Sequence, residues 1–501
     1  MTLSADFTPA RLSRRQLLAT ALAALATPAL AEAPVRSPRP IPRPGPQPAR
    51  KTRTATPGEG IAALVAAAKL GGTVSVAVID TATGRLLEGL DERQGMPPAS
   101  CAKAITALYA LDRLGAAHTW VTRVLVTGPV SGGQVQGDLI LQGSGDPTLT
   151  TDGLGDLAAR LAARGIRGVT GRYLVHAGGL PHLARIDRDQ PDHVGYNPAI
   201  CGLNLNHNRV YFEWKRAGQG WDLTMDARGE RFVPPVSMAT MHAANREGPL
   251  FTYAQGNGTD DWTVASTALG KGGSRWLPVR QPEVYAGEVF RTLARAQGIR
   301  LPEARVVAQA PKGTVVTQLA SDPLGPVMRD MLKYSTNLTA EVVGLTTSGA
   351  ATLTASAGQM ADWLRGRYGA TGKFVDHSGL GGASRISASD MARALAQGRG
   401  SGLPGLLKEF GMRDARGAAI KGHPTRVPCK TGTLNFASGL VGYVEPPGGR
   451  SLTFAIFCAD VARRDRLPAA QREEPEGGKA WVKRARGLQA QLVGRWGQAF
   501  A

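Results

Sequence analysis

The spacing of apolar residues changes several times along the chain, and each change marks a predicted element. Residues 61–70 (IAALVAAAKL) have the spacing of a helix, and residues 72–92 have the pattern of a β-hairpin that turns at Thr83-Gly84. Residues 105–115 are mostly apolar and end in a glycine, which predicts a buried helix. The first part of the folded chain is therefore predicted to mix helices with a hairpin.

Beyond residue 119 the pattern changes to short apolar strands between Gly-rich turns, which continue to about residue 280. Helical spacing returns over 285–299 and 322–335, and the chain ends with two apolar strands and a helix over 478–499. We therefore predict an α/β fold, in which one domain is interrupted by a long β-rich insert. The predicted bounds are 58–118 and 282–501 for the two parts of that domain and 119–281 for the insert.

The N-terminus has the composition of an export signal followed by a linker. Two adjacent arginines (14 and 15) precede an apolar run over 17–30, and small residues follow. We predict a signal of the twin-arginine type over 1–33, cleaved after Ala31 or Ala33. The alternative is an uncleaved anchor, but about fourteen apolar residues are short for a membrane span. Residues 34–57 are rich in Pro and Arg, which predicts an extended tether.

Length and charge narrow the class of protein. A chain of 501 residues suits two or three domains. The formal charge is +20, of which residues 1–56 carry +7, so +13 is spread over the remainder. No basic helix is interleaved with stacking aromatic residues, so we do not expect a nucleic-acid partner. An anionic polymer of another kind, or solubility alone, accounts for the charge equally well.

The cysteines and histidines do not form a metal-binding pattern. The four cysteines stand at 101, 201, 429 and 458, with no C-x-x-C, and the eight histidines include no H-E-x-x-H. We therefore expect neither a zinc site nor a cofactor. Small buried thiols are the expected state of the cysteines. Export would permit disulfides, whose pairing the sequence does not reveal.

A serine and a lysine lie one helical turn apart at the start of the predicted helix, in PPASCAKAITALYAL (97–111). A simple interpretation makes Ser100 a helix cap and Lys103 a solvated residue. The alternative makes Ser100 a nucleophile and Lys103 its base, because side chains at i and i+3 are neighbours on a helix. Lysine can act as a base only if burial or a second cation lowers its pKa.

Two further clusters follow in the chain. Ser335-Thr336-Asn337 stands at a predicted helix end, and Lys430-Thr431-Gly432-Thr433 stands at the start of a predicted strand. Each has a simple interpretation, as a cap with a turn residue and as a turn into an edge strand. Together, S-x-x-K, S-x-N and K-T-G in this order are the motif set of penicillin-recognising serine enzymes. Lys430 would then supply the second cation beside Lys103.

From about residue 57 to 500 the chain resembles the low-molecular-mass class C penicillin-binding proteins, the D-alanyl-D-alanine carboxypeptidase/endopeptidase family. Around Ser100 it is similar to the family's P-A-S-x-x-K-x-x-T-A-x-x-A-L, and GDLILQGSGDPTLT resembles a stretch of the family's inserted domain. VDHSGL resembles the family's D-G-S-G-L turn. The resemblance implies a transpeptidase-type domain of antiparallel sheet with flanking helices, interrupted by the insert.

The resemblance also implies roles for these residues. Ser335 would relay a proton between Lys430 and the leaving amine, and Asn337 would bind the substrate's amide. Thr431, Gly432 and Thr433 would bind substrate, with the two threonine hydroxyls meeting its terminal carboxylate. The backbone N–H groups of Ser100 and Thr433 would form the oxyanion hole.

The sequence departs from the family in the turn after Asp376. The family's D-G-S-G-L-S-R is replaced by DHSGLGG, so Gly381 and Gly382 stand at the Ser-Arg position and Arg385 follows three residues later. In relatives that arginine helps to bind the acidic end of the peptide's diamino acid. Arg385 is therefore a candidate substrate-binding residue, and we expect it to replace that arginine only in part. His377 stands where the family has glycine, and we expect a turn residue and not a catalytic one.

The sequence thus predicts an exported, periplasmic serine-type D-Ala-D-Ala carboxypeptidase, which could also cut peptide cross-links. Its expected partners are peptidoglycan stem peptides, with β-lactam antibiotics as covalent inhibitors and at most peripheral contact with the membrane. A β-lactamase or esterase of the same fold is disfavoured by the long insert and by S-T-N in place of Y-x-N. A non-catalytic peptidoglycan-binding scaffold is disfavoured because Ser100 and Lys103 are both present.

Overall fold

The first elements follow the apolar pattern that begins near residue 60. The structure is a computed structural model that describes residues 59–412, 420–468 and 471–500, so the predicted leader and linker (1–33 and 34–57) lie outside it. A hairpin and a buried helix are formed as predicted. The elements are α1 (Glu59–Ala68), β1 (Thr73–Asp80), β2 (Leu86–Leu90), a 3-10 turn (Ala99–Cys101) and α2 (Ala102–Arg113).

The middle of the chain consists mainly of strands, as the sequence pattern predicts. One helix, α3, was not predicted, although Thr150 caps it by accepting from the N–H of Gly153 and apolar residues recur along one face. The elements are β3 (Val121–Val126), β4 (Val130–Ser131), β5 (Gln134–Val135), β6 (Leu139–Gln142), α3 (Thr151–Ala163), β7 (Gly168–Val169), β8 (Tyr173–His176), β9 (Arg209–Ala217), β10 (Gly220–Asp226), β11 (Ala239–Ala244), β12 (Phe251–Gln255), β13 (Asp260–Ala265), β14 (Gly272–Pro278), α4 (Pro282–Ala296), β15 (Ala304–Val306) and β16 (Thr314–Ala320).

The last part of the chain supplies a helical layer, three long strands and a C-terminal helix. The last helix falls where the sequence predicts it, but three long strands are formed in place of the two predicted, because the chain turns at Asn435 and Phe436. The elements are α5 (Leu324–Tyr334), α6 (Asn337–Ser348), α7 (Leu353–Tyr368), β17 (Gly372–Lys373), β18 (Arg385–Ile386), α8 (Ala388–Gln397), β19 (Lys408–Glu409), β20 (Pro428–Leu434), β21 (Ala437–Val444), β22 (Leu452–Ala459), α9 (Val461–Asp465) and α10 (Gly478–Ala499).

The central sheet joins the two ends of the described chain. Its strand order is β19-β20-β21-β22-β1-β2, and all neighbours are antiparallel. One face packs against α2 and the helices after the insert, through residues such as Cys101, Ile105 and Phe457. The other face packs against α1 and α10, through residues such as Trp481 and Trp496. Strands β21 and β22 are buried along their whole length because both faces are covered.

The insert has its own core and its own sheets. Its largest sheet has the order β15-β8-β6-β3-β16, and smaller sheets join β10-β9-β14, β11-β13-β12 and β4-β5-β7. Because β16 pairs with β3 and β15 with β8, this sheet extends to Ala320 and passes the boundary predicted at residue 281. The sequence pattern puts the helix over 285–299 in the second part of the interrupted domain. In the structure this helix is α4, and its apolar face, with Val289, Phe290 and Leu293, packs on the insert instead.

The cysteines are buried thiols, as expected from the sequence. All four are free in the structure. Cys101 lies in the core on the α2 face of the central sheet, whereas Cys429 lies in the core on the α10 face. The sheet therefore separates the two cysteines that flank Ser100 and Lys430 in sequence. Among the described residues no helix is long and apolar enough to cross a bilayer.

Candidate active site

The first cluster forms where the 3-10 turn passes into α2. The Nζ atom of Lys103 lies 3.0 Å from Ser100 Oγ, 2.7 Å from Asn337 Oδ1 and 2.8 Å from the carbonyl oxygen of Ser378. Ser100 makes no capping hydrogen bond, and Lys103 is fully buried at 0% exposure. The interpretation of Ser100 as a cap and Lys103 as a solvated residue is therefore wrong.

Close backbone packing holds the turn that carries Ser100. A methyl group on Gly432 would lie 2.8 Å from the carbonyl oxygen of Pro98 and 3.1 Å from the backbone nitrogen of Cys101. Gly379 has φ +75°, and a methyl group there would overlap the carbonyl oxygen of Ala99. Strand β20 and the loop before β18 thus approach the turn so closely that only glycine fits at these two positions.

The second cluster joins β20 to the junction between α5 and α6. Lys430 Nζ lies 3.0 Å from Ser335 Oγ and 2.7 Å from the carbonyl oxygen of Thr431. Ser335 ends α5 in the left-handed region, with φ +61°, so it is not the N-cap that the simple interpretation proposes. Two residues later, Asn337 opens α6 and contacts Lys103. Residue 335 in the left-handed conformation therefore turns the chain so that both side chains face the lysines.

Burial of the two lysines lowers the pKa of each ammonium group. Lys103 is 0% and Lys430 1% exposed. The pKa of Lys103 is lowered first by burial and then by the charge of Lys430, against an opposing effect of nearby carboxylates. Burial lowers the pKa of Lys430 to about 8. Both shifts favour the neutral amine, which is the form that can accept a proton.

Two buried carboxyl groups support the site. Sequence analysis named Asp376 in a turn without giving it a role, and it did not identify Glu341. The Glu341 carboxylate accepts from the N–H groups of His377 and Ser378, at 2.9 and 2.8 Å. Asp376 accepts from the N–H groups of Gly379 and Gly381. Burial raises the pKa of both carboxyl groups. They fix the loop whose Ser378 carbonyl holds Lys103. For Glu341 the sequence does contain a signal, because it is the single acidic residue in the apolar run of α6, and a buried carboxyl group needs partners.

His377 packs away from the reacting groups. Its Nε2 lies 2.7 Å from Ser356 Oγ, and its ring occupies the space that a side chain on Gly344 would need. Burial lowers its pKa to about 3. The structure therefore favours the interpretation of His377 as a turn residue that fills the space between α6 and α7.

A cleft of about 780 Å³ opens over Ser100, Ser335 and Asn337. One wall comes from the insert, where Asp187 and Tyr196 line it. The side-chain amide of Asn337 donates to the carbonyl oxygen of Tyr196 at 2.9 Å, which ties that wall to α6. The insert is therefore part of the site, and any peptide that reaches Ser100 passes beside it.

Of the predicted binding residues, Thr433 and Arg385 line this cleft. Thr431 and Thr433 are exposed on β20, and Gly432 between them is buried against the Ser100 turn. Arg385 lines the cleft, but its Nη1 donates to the carbonyl oxygens of Gly382 and Ser384, at 2.6 and 2.8 Å. A second guanidinium, that of Arg464, lies 3.4 Å from where a methyl group on Gly382 would be. Sequence analysis did not identify Arg464, which is distant in the chain.

Comparison with known proteins gives the family. Residues 59–474 match the model of the D-Ala-D-Ala carboxypeptidase 3 (S13) family. The chain is 29% identical to the D-alanyl-D-alanine carboxypeptidase of Actinomadura sp. (strain R39) over 442 residues, which are 79% of this chain and 80% of that protein. It is 28% identical to a carboxypeptidase of Mycobacterium tuberculosis, with 87% of each chain covered.

Solved structures give the same fold. Penicillin-binding protein 4 of Haemophilus influenzae has a TM-score of 0.68 and 20% identity, and the match covers 86% of this chain and 99% of that chain. A structure of that protein complexed with a β-lactam has a TM-score of 0.66 and 19% identity, with the same coverage. The predicted fold class is therefore confirmed. The chain belongs to the D-Ala-D-Ala carboxypeptidase S13 family, and the prediction of a serine-type carboxypeptidase is confirmed.

The packing at Gly379 makes a testable prediction about the Ser100 turn. We expect Gly379→Ala to destabilise the fold by about 3 kcal/mol, because a strained φ and an overlap with the turn add together. The matched control is Gly84→Ala, which has φ +71° with nothing within 4 Å, so only the backbone strain of about 1 kcal/mol applies. Urea denaturation measures both variants, and equal losses of stability would contradict the close approach.

Proposed function

We propose that the chain is an exported D-Ala-D-Ala carboxypeptidase that hydrolyses peptidoglycan stem peptides through an acyl-enzyme on Ser100. The observation that carries the proposal is the distance of 3.0 Å between Lys103 Nζ and Ser100 Oγ in a buried site with a second lysine. A serine hydroxyl becomes an effective nucleophile only when a neighbouring base removes its proton. Lys103 is that base in this proposal.

In the acylation step, neutral Lys103 accepts the Ser100 proton while Oγ attacks the carbonyl carbon of the penultimate D-alanine. The N–H groups of Ser100 and Thr433 stabilise the oxyanion. The C–N bond then breaks, and Ser335 passes a proton from Lys430 to the departing amine. Lys430 Nζ is 3.0 Å from Ser335 Oγ, which supports this relay. The step leaves Lys103 protonated and Lys430 neutral, so the total number of protons is unchanged.

Deacylation completes the hydrolysis. Once Lys103 has released its proton to solvent, it can accept one from a water molecule that attacks the ester carbon. The ester C–O bond breaks, Ser100 Oγ takes that proton from Lys103, and the shortened peptide leaves as a carboxylic acid that ionises by releasing its proton to solvent. Lys430 recovers its proton from solvent. Asn337 would orient the peptide amide during both steps, and its contact with Lys103 at 2.7 Å supports that placement.

Three further properties belong to the proposal. A β-lactam would acylate Ser100 in the same way, because its strained amide meets the same nucleophile. Peptide cross-links present the same D-alanyl amide with a different leaving amine, so endopeptidase activity uses the same groups. The twin-arginine signal predicted over 1–33 would direct the enzyme to the periplasm, next to its substrate.

The nucleophile assignment predicts the outcome of labelling with a fluorescent penicillin. We expect Ser100→Ala to abolish covalent labelling, because among the described residues Ser100 carries the hydroxyl that is hydrogen-bonded to Lys103 Nζ. The variant should remain folded, since the Ser100 side chain caps no helix, and circular dichroism with thermal melting checks this. Covalent labelling of a folded Ser100→Ala protein would show that the nucleophile lies elsewhere.

The two buried lysines predict a bell-shaped pH profile of kcat/KM for peptide hydrolysis. The rate rises with pH as Lys103 loses its proton, at an apparent pKa well below the ordinary lysine value of 10.5. It falls again as Lys430, whose pKa is lowered to about 8, can no longer protonate the leaving amine. Both apparent values belong to the pair of lysines.

The control for this profile is Lys103→Ala, which should slow acylation by about 100-fold or more and remove the rising limb. The measurement is kcat/KM for an acyl-D-Ala-D-Ala peptide from about pH 5 to about pH 10. A rising limb that persists in Lys103→Ala would assign the base to another group.

The two glycines after Leu380 predict a permissive pocket for the peptide side chain. Arg385 donates to backbone carbonyls, which supports only partial replacement of the family's arginine. We expect peptides with and without a free acidic side-chain end to differ less than about 10-fold in kcat/KM, in the wild type and in Arg385→Ala alike. A large preference that disappears in Arg385→Ala would instead show full replacement.

A further inference from the structure

A guanidinium from the far side of the central sheet reaches the edge of the active site. Side chains alternate along β20, so Lys430 and Gly432 face the Ser100 turn while Cys429, Thr431 and Thr433 face α10. On α10, Arg486 places Nη2 at 3.3 Å from Thr433 Oγ1. Both residues are exposed. An arginine from the last helix therefore lies beside one of the two hydroxyls that are expected to meet the substrate's carboxylate.

The residues around Arg486 give no indication that its charge stabilises the fold. The first half of α10 carries Lys479, Lys483, Arg484 and Arg486 and no acidic residue. Lys483 and Arg486 are three positions apart, where like charges repel and weaken a helix. In the part of the chain that the structure describes, Arg486 forms no salt bridge, and its hydrogen bond to Thr433 uses one of five N–H donors.

The two lysines beside Ser100 are already engaged. Lys103 binds Ser100, Asn337 and the Ser378 carbonyl, and Lys430 binds Ser335 and the Thr431 carbonyl. Arg385 and Arg464, which line the cleft, both lie beside Gly382. Arg486 is instead the guanidinium that contacts Thr433, so a carboxylate at the threonine edge of β20 would meet it there. A guanidinium binds a carboxylate through two parallel charge-assisted hydrogen bonds, and its planar fork holds the anion in one orientation.

We propose that Arg486 is a substrate-binding residue that pairs with the terminal carboxylate of the departing D-alanine. This rests on the proposed function, because it takes Ser100 as the nucleophile and the threonine hydroxyls of β20 as the carboxylate site. Arg486 adds a positive charge to those neutral hydroxyls. It thereby selects peptides that end in a free carboxylate, and it aligns their last peptide bond with Ser100 Oγ.

The test compares two peptides of the acyl-D-Ala-D-Ala type, one with a free C-terminal carboxylate and one with a C-terminal amide. We expect Arg486→Ala to lower kcat/KM for the free acid by about 10-fold and to leave the amide unchanged, so that the acid-to-amide ratio falls. Arg486→Lys should retain part of the ratio, because the charge remains and the fork is lost.

The matched control is Arg484→Ala, which removes the same charge from the same helix two positions away, on its other side. Arg484 is also exposed, so both variants should fold, and thermal melting confirms this. Arg484→Ala should keep the wild-type ratio, whereas an equal fall in both variants would show only a long-range effect of charge and overturn the contact.

The experiment separates the failure of this proposal from the failure of the proposed function. A wild type that hydrolyses the free acid, together with an unchanged ratio in Arg486→Ala, would overturn the Arg486 assignment alone. A folded wild type that hydrolyses neither peptide would overturn both proposals. A ratio that falls only when Arg486 is replaced supports both.

Discussion

Two ammonium groups buried close to each other are the feature on which the rest of this site depends. Moving a charge out of water is costly unless hydrogen bonds and opposite charges compensate it. Lys103 finds three oxygen acceptors, and Lys430 finds two. The buried carboxyl groups of Glu341 and Asp376 oppose the repulsion between the lysines. The three motifs thus form one network, in which a neutral lysine next to a serine becomes possible.

The fold provides this network with a rigid support. The central sheet carries Lys430 on β20, and the 3-10 turn and α2, packed on its face, carry Ser100 and Lys103 respectively. Glycines at 379 and 432 let three segments meet at one turn. The insert, with its own core, contributes a wall through Tyr196, whose carbonyl accepts from Asn337. The sheet, the two glycines and the insert therefore hold the lysine network in place together.

The sequence predicts the parts of this arrangement that rest on local patterns. Strong apolar periodicity located the hairpin and the helix after Ser100. Short motifs located five residues that the structure brings together, namely Ser100, Lys103, Ser335, Asn337 and Lys430. Tertiary contacts were not predictable in this way. The apolar face of α4 has the same spacing whether it packs on the insert or on the central sheet, so the boundary at 281 was misplaced. Glu341, Arg464 and Arg486 reach the site only through folding, and no motif marks them.

The central claim is that burial lowers the pKa values of Lys103 and Lys430 in the free enzyme, and that the charge of Lys430 lowers the pKa of Lys103 further. Nuclear magnetic resonance of protein labelled at the lysine side chains measures these values directly, with Lys103→Arg and Lys430→Arg used to assign the two signals. The account predicts that both groups titrate well below the ordinary lysine value of 10.5, with Lys430 at about 8. Titration of both groups at the ordinary value would contradict it.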